Sequence, residues 1–219
     1  MVTDSNVQAA ERVAAAIGPA ALPCRLDVTS ESDWETAIAL ARSEWGQLSV
    51  LVANAGVPVG GSVEDLSLAD WRRAFAVHGD GAFLAIQSCL PLLRAAPAAA
   101  IVTIASVAAV AARGDMAAYG ASKAAVAALT RSAALYCAEK GWPIRANCVM
   151  PAYIDTPMLG AIAPAIPHEK LVGALARLVP QGRIGAIGDV VEAALYLASP
   201  ASSFVTGAEL RVDGGLSAA

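Results

Sequence analysis

Two six-residue runs constrain this chain more than any other feature. Residues 48–53, Leu-Ser-Val-Leu-Val-Ala, and residues 100–105, Ala-Ile-Val-Thr-Ile-Ala, are apolar at all but one position each. A strand with one wet face alternates polar and apolar residues, whereas a strand covered on both faces does not. Runs this short, rich in β-branched residues and uniformly apolar, are therefore expected as parallel strands between two layers of helices.

The intervening stretches carry helical spacing. Residues 7–17 place Val7, Ala10, Val13, Ala14 and Ile17 on one face, and Gly18-Pro19 stops the run. Ser30 is a cap, with Asp33 as its acidic partner, for a helix running to Trp45. That helix turns Trp34, Ile38 and Ala41 inward and ends at Gly46. Long helices are expected over 68–93 and 116–139, and a shorter one over 189–198. Further strands are expected at 22–28, 144–149 and 209–212. The alternation predicts one α/β domain over residues 1–219, a Rossmann-like doubly wound parallel sheet with helices on both faces.

Composition narrows the function. At 219 residues and 57% hydrophobic, the chain can bury a sizeable core, and its net charge of −4 argues against nucleic acid as a partner. Residues 95–112 carry no charge, but they are mostly alanine and contain the β-branched block 101–104. They read as a buried strand and a small-residue loop rather than as a membrane span. The N-terminus lacks the basic and apolar regions of a secretory signal. Cys24, Cys89, Cys137 and Cys148 lie in apolar contexts without paired spacing, which suits buried thiols in a cytoplasmic protein and not a metal site.

Chemistry concentrates at Ser106, Tyr119 and Lys123. Tyr119 and Lys123 are four apart on an expected helix and share a face. A free tyrosine has a pKa of about 10, too high for a base at neutral pH, and a neighbouring ammonium is expected to lower it. Ser106 closes the strand at 100–105 and can hold a substrate oxygen while the phenol moves its proton. Three further motifs share the order of this group: Asn54-Ala55-Gly56 after the strand at 48–53, the segment from Asn147 through Pro151, Ile154 and Thr156 to Met158, and Thr206-Gly207 leading to Asp213-Gly214-Gly215.

Together these residues resemble the short-chain dehydrogenase/reductase family in its compact form, from about Asp4 to Gly215. The resemblance implies hydride transfer between NAD(H) and a secondary alcohol or ketone. Ser106, Tyr119 and Lys123 are then catalytic, and His78 stands where the family has an asparagine supporting a water relay to the lysine. His78 can keep the backbone part of that role, but its ring is larger and titrates near about pH 6.5. The implied cofactor contacts are Asp4, Asp27, Val28, Asn54, Ala55, Gly56, Tyr119, Lys123, Pro151, Ile154 and Thr156. Asp4 favours NAD over NADP, because a carboxylate there bonds ribose hydroxyls and repels a 2′-phosphate; the other reading of Asp4 is a helix cap. The family's usual glycine after Pro151 is Ala152.

One family feature is not found. The strand, glycine-rich turn and helix that cradle the pyrophosphate would precede Asp4, and about 30 residues of such a unit are expected to be absent through a late start, a truncated record or a deletion. A missing central strand would leave its neighbours unpaired. Residues 157–180, with Met158, Leu159, Ile162, Ile166, Leu171 and four prolines, are expected to form a mobile apolar lid, which suits a lipophilic or cyclic substrate. Arg113 is expected to be a solvated surface residue, with contact to an anionic substrate as the alternative. The chain is expected to be a cytoplasmic homo-oligomer, a dimer or tetramer. The competing function is a catalytically impaired relative that serves only as an oligomerisation partner.

Overall fold

All the strands run parallel to their neighbours, but in two separate ladders. In the computed structural model, which describes residues 1–163 and 165–218, β1 (Val2–Asp4) pairs with β2 (Pro23–Arg25). The second ladder has the order β3 (Val50–Ala53), β4 (Ala99–Ile104), β5 (Ile144–Pro151), β6 (Glu209–Val212). β1 and β3 are not hydrogen-bonded to one another. Val50 and Val52 of β3 are accordingly exposed, at 42% and 48%.

The helices are α1 (Val7–Ile17), α2 (Glu31–Trp45), α3 (Leu68–Phe75), α4 (Gly81–Leu93), α5 (Ala117–Glu139), α6 (Pro157–Ile162), α7 (His168–Ala176) and α8 (Ile187–Ala198). Alternation along each strand divides the core. Ile101 faces a cluster with Trp34, Ile86, Leu93 and Cys137 from α2, α4 and α5. Its neighbour Val102 faces Leu197 of α8 on the other side. The charge-free stretch 95–112 thus supplies β4, and no helix among the described residues is long and apolar enough to cross a membrane. All four cysteines are buried and free.

Local chemistry sets the helix ends. The side chains of Asn6, Ser30 and Ser67 accept from the backbone N–H groups of Ala9, Asp33 and Asp70, satisfying donors that a helix start leaves open. Gly46 ends α2 in the left-handed region at φ +68°, where a Cβ would be strained.

Three expectations need correction. The helix over 68–93 is interrupted at Ala76–Asp80 by a π turn, whose extra residue re-aims the side chains and buries His78. On α1, only Ala10 and Ala14 are buried, while Val13 and Ile17 are 51% and 61% exposed, because the three-residue strands β1 and β2 cover a narrow strip. Asp33 does not return to the Ser30 backbone; its carboxylate accepts from Asp27 N–H at 2.9 Å and pairs with Arg25 at 2.7 Å. In the segment 157–180, expected as a lid, Leu159 and Leu171 are buried against Ile184. Pro164 and the side chain of Ile162 lie outside the described residues.

Candidate active site

Parallel strands put all their C-terminal ends on one edge of the fold, and most of the residues singled out in the sequence lie there. Asp4 ends β1, Asp27 and Val28 follow β2, Asn54-Ala55-Gly56 follows β3, Ser106 follows β4 and Pro151 ends β5. Helix α5 delivers the rest. Its inward face repeats through Ala118, Ser122, Lys123, Val126, Ala127 and Thr130, so Lys123 enters the core as a consequence of the helix period.

Lys123 is 4% exposed, and its Nζ donates to the Ile104 carbonyl at 2.8 Å, at the end of β4. The same ammonium lies 5.9 Å from the centroid of the Tyr119 ring. Burial lowers the Lys123 pKa from 10.5 to about 8. Ser106 Oγ accepts from Ala108 N–H at 3.2 Å and donates to the Pro151 carbonyl at 3.3 Å, which ties the ends of β4 and β5. Burial raises the Tyr119 pKa, and the hydrogen bond with Ser106 works against that rise. The structure therefore brings Ser106, Tyr119 and Lys123 together, but it corrects the expected sign at the phenol. Desolvation outweighs the hydrogen bond with Ser106, so Tyr119 is a protonated donor at neutral pH.

His78 has a defined place in this group. It is 1% exposed, and its Nε2 accepts from Val57 N–H at 3.0 Å. The proton is therefore on Nδ1, which donates to Ser122 Oγ at 2.8 Å. Ser122 Oγ in turn donates to the Tyr119 carbonyl at 3.0 Å. Burial, aided by repulsion from Lys123, lowers the His78 pKa to about 3. The ring is thus a neutral strut between the Gly56 loop and the turn of α5 that carries Tyr119. Ser122 completes the chain and was not singled out in the sequence; its only signal is its position three residues after Tyr119.

The other expected contacts vary in how much freedom they retain. One carboxylate oxygen of Asp4 accepts from Asn6 N–H at 2.8 Å, so Asn6, not Asp4, caps α1. Asp27 Oδ1 is held by the N–H and hydroxyl of Thr29, at 2.9 and 2.8 Å. Val28 turns its side chain toward Gly81 and its carbonyl to Trp34 Nε1. Ala55 and Asn54 are exposed, and Gly56 approaches closely: a Cβ there would stand 3.4 Å from His78 Nε2 and 3.5 Å from Lys123 Nζ. Ile154 pairs with Gly185, and Thr156 donates to the Ile154 carbonyl at 3.4 Å. Arg113 is not simply solvated, since it is held by Asp115 and Tyr153. A cavity of about 360 Å³ is lined by Tyr153, Gln181, Arg183, Asp189, Arg211 and Asp213 among others, and by none of Ser106, Tyr119 and Lys123.

The family model described as enoyl-(acyl carrier protein) reductase matches residues 1–217. The chain belongs to the short-chain dehydrogenase/reductase family. A cis-4-hydroxycyclohexanecarboxylate dehydrogenase of Sinomonas cyclohexanicum is 38% identical over 222 residues, covering 100% of this chain and 86% of the relative. An NADP-dependent (R)-specific alcohol dehydrogenase of Lentilactobacillus kefiri is 32% identical, covering 100% of this chain and 86% of the relative. Among solved structures, the ligand-free aldohexose dehydrogenase of Thermoplasma acidophilum superposes with a TM-score of 0.84 at 33% identity, covering 100% of this chain and 93% of that one. As a short-chain dehydrogenase/reductase, the chain is an oxidoreductase built on a nicotinamide-binding fold.

Proposed function

We propose that this chain is an NAD-dependent oxidoreductase that interconverts a lipophilic or cyclic secondary alcohol and its ketone. The convergence of Ser106, Tyr119 and Lys123 at the end of β4 carries the reading. The names of the Sinomonas and Lentilactobacillus relatives point to ring-bearing and secondary alcohols, and the buried lid cluster of Leu159 and Leu171 suits an apolar substrate.

In this reading Tyr119 holds the reacting proton, giving it to the carbonyl oxygen in reduction and taking it back in oxidation. Ser106 donates a hydrogen bond to the same oxygen. Lys123 supplies positive charge below the ring, and His78 through Ser122 fixes the turn that aims Tyr119. The remaining residues fit a nicotinamide dinucleotide, because Gly56 leaves room beside Lys123 and an exposed carboxylate ends β1 at Asp4. Lys123, Tyr119, Pro151, Ile154 and Thr156 would hold its nicotinamide end and adjoining ribose, with Asp4, Asp27, Val28 and the Asn54-Ala55-Gly56 backbone at the adenosine end. When bound, the nicotinamide accepts or supplies the hydride. Asp4 selects NAD against a 2′-phosphate. Phe83 of α4 and Leu135 and Tyr136 of α5 are exposed, and we propose that these faces join copies of the chain in a homo-oligomer. The four free thiols suit the cytoplasm.

The test follows NADH consumption with cyclohexanone. Tyr119→Phe is expected to abolish most turnover while calorimetry shows unchanged NADH binding; retained turnover refutes the role of Tyr119. A tenfold preference for NADPH would refute the role of Asp4. A second reading, a non-catalytic assembly partner, is favoured by the separation of the β1–β2 ladder from the four-stranded sheet. It predicts oligomers with no NADH binding by the purified chain.

A further inference from the structure

The stretch from Ser106 toward α5 and the stretch leaving β5 are tied twice. At the base, Ser106 Oγ donates to the Pro151 carbonyl at 3.3 Å. Farther along both stretches, Arg113 Nη1 donates to the Tyr153 hydroxyl at 2.6 Å. The two bonds close a ring of chain running from 106 to 113 and from 153 back to 151. Ser106 sits at its base and the Arg113–Tyr153 bond forms its far rim, where Tyr153 also lines the cavity of about 360 Å³. The Tyr153 ring packs on the lid cluster of Leu159 and Leu171, so the rim and the lid are continuous.

A guanidinium on such a rim would suit a carboxylated substrate. Asp115 opposes this. It takes Arg113 Nε at 3.0 Å and Nη2 at 2.8 Å in the two-pronged geometry that guanidinium and carboxylate form most strongly. The pair has no net charge, and a second carboxylate would meet repulsion from Asp115 before it reached Arg113. The Asp115 backbone is fixed as well, since its carbonyl accepts from Gly61 N–H at 2.8 Å. Tyr153 uses its oxygen to accept from Arg113, which leaves its own O–H proton available to a ligand.

We propose that Asp115 and Arg113 determine substrate charge: the site takes uncharged ring alcohols and ketones, with Tyr153 donating to a neutral oxygen at their far end, and rejects carboxylated ones. This inference rests on the oxidoreductase reading and specifies its substrate class. It is tested by comparing kcat/KM for cyclohexanol and cis-4-hydroxycyclohexanecarboxylate. The wild-type chain favours cyclohexanol at least tenfold. Asp115→Asn releases the guanidinium and shifts the ratio toward the carboxylate by about two- to fivefold, the upper part of the range for one partly exposed charge. The shift shrinks as salt is raised, and adding Arg113→Gln to Asp115→Asn reverses it. A wild-type preference for the carboxylate, or a ratio unmoved by Asp115→Asn, overturns the proposal. If the wild type oxidises neither alcohol, the oxidoreductase reading fails by itself. Charge selection is then measured by ligand-observed NMR with cyclohexanol and cyclohexanecarboxylate, where the same affinity ratio supports or overturns it and binding of neither overturns it.

Discussion

Acidification should destabilise this fold, and the share carried by His78 can be worked out. In the folded chain burial holds the ring neutral down to about pH 3, against 6.5 for an unperturbed imidazole. The unfolded chain binds a proton at this residue below about pH 6.5 and the folded chain does not, so the unfolded state gains protons first and stability falls as pH drops through that window. At about 1.4 kcal/mol per tenfold change in proton affinity, the full window is worth about 5 kcal/mol, and the part between pH 6.5 and pH 5 about 2 kcal/mol. Burial of the ring and repulsion from Lys123 are the causes of that number, and the bonds from Val57 N–H and to Ser122 Oγ fix the neutral tautomer. Urea unfolding, followed by the fluorescence of the 4 Trp, measures it at pH 7 and pH 5. Carboxylates titrate in the same range, so the control is His78→Asn, which keeps an amide donor and acceptor but does not ionise. The variant is less stable at pH 7, and its loss between pH 7 and pH 5 is smaller than the wild-type loss by about 2 kcal/mol. Parallel losses in the two proteins would refute the buried neutral strut.

Other expectations follow from the same geometry. Because burial raises the Tyr119 pKa, carbonyl reduction should proceed at neutral pH while alcohol oxidation climbs into the alkaline range; equal pH profiles for the two directions would contradict this. Gly81→Ala places a Cβ 2.8 Å from Val28 Cγ2 at the start of α4. The crowding costs about 1–3 kcal/mol, against roughly 1 kcal/mol returned by helix propensity, so a lower urea midpoint is expected and a raised one would count against the contact. Burial raises the pKa of all four thiols, that of Cys89 to about 12. A thiol reagent at pH 8 should therefore label none of them in the native chain and all of them in urea, as read by intact mass.

The sheet was legible where burial on both faces leaves its pattern, at 100–105; the run at 48–53 forms the expected strand, but one face of it, at Val50 and Val52, is exposed. Ser106, Tyr119 and Lys123 were legible because strand end and helix period fix their positions independently of any distant contact. The π turn at Ala76–Asp80 was not legible. Nothing in Ala-Val-His-Gly-Asp breaks a helix outright, and the turn exists because His78 finds partners at Val57 and Ser122, which are 21 and 44 residues away in sequence. The Arg113–Tyr153 contact was missed for a similar reason, since it joins residues 40 apart. The sign of the Tyr119 pKa was misread because spacing reveals a neighbouring cation but not the depth of burial.

That depth explains why the site holds an imidazole at all. His78 and Lys123 face one another across Gly56, and two cations cannot share a dry enclosure. One must stay neutral. Lys123 has a carbonyl, Ile104 O, to accept its proton-bearing bond, and it retains positive charge up to about pH 8. His78 instead receives an N–H from Val57 on Nε2, a bond that a protonated ring could not accept. Burial and repulsion from Lys123 hold His78 neutral, and the Val57 N–H fixes the tautomer of that neutral ring, so the charge of the site stays on Lys123, the group beside the phenol.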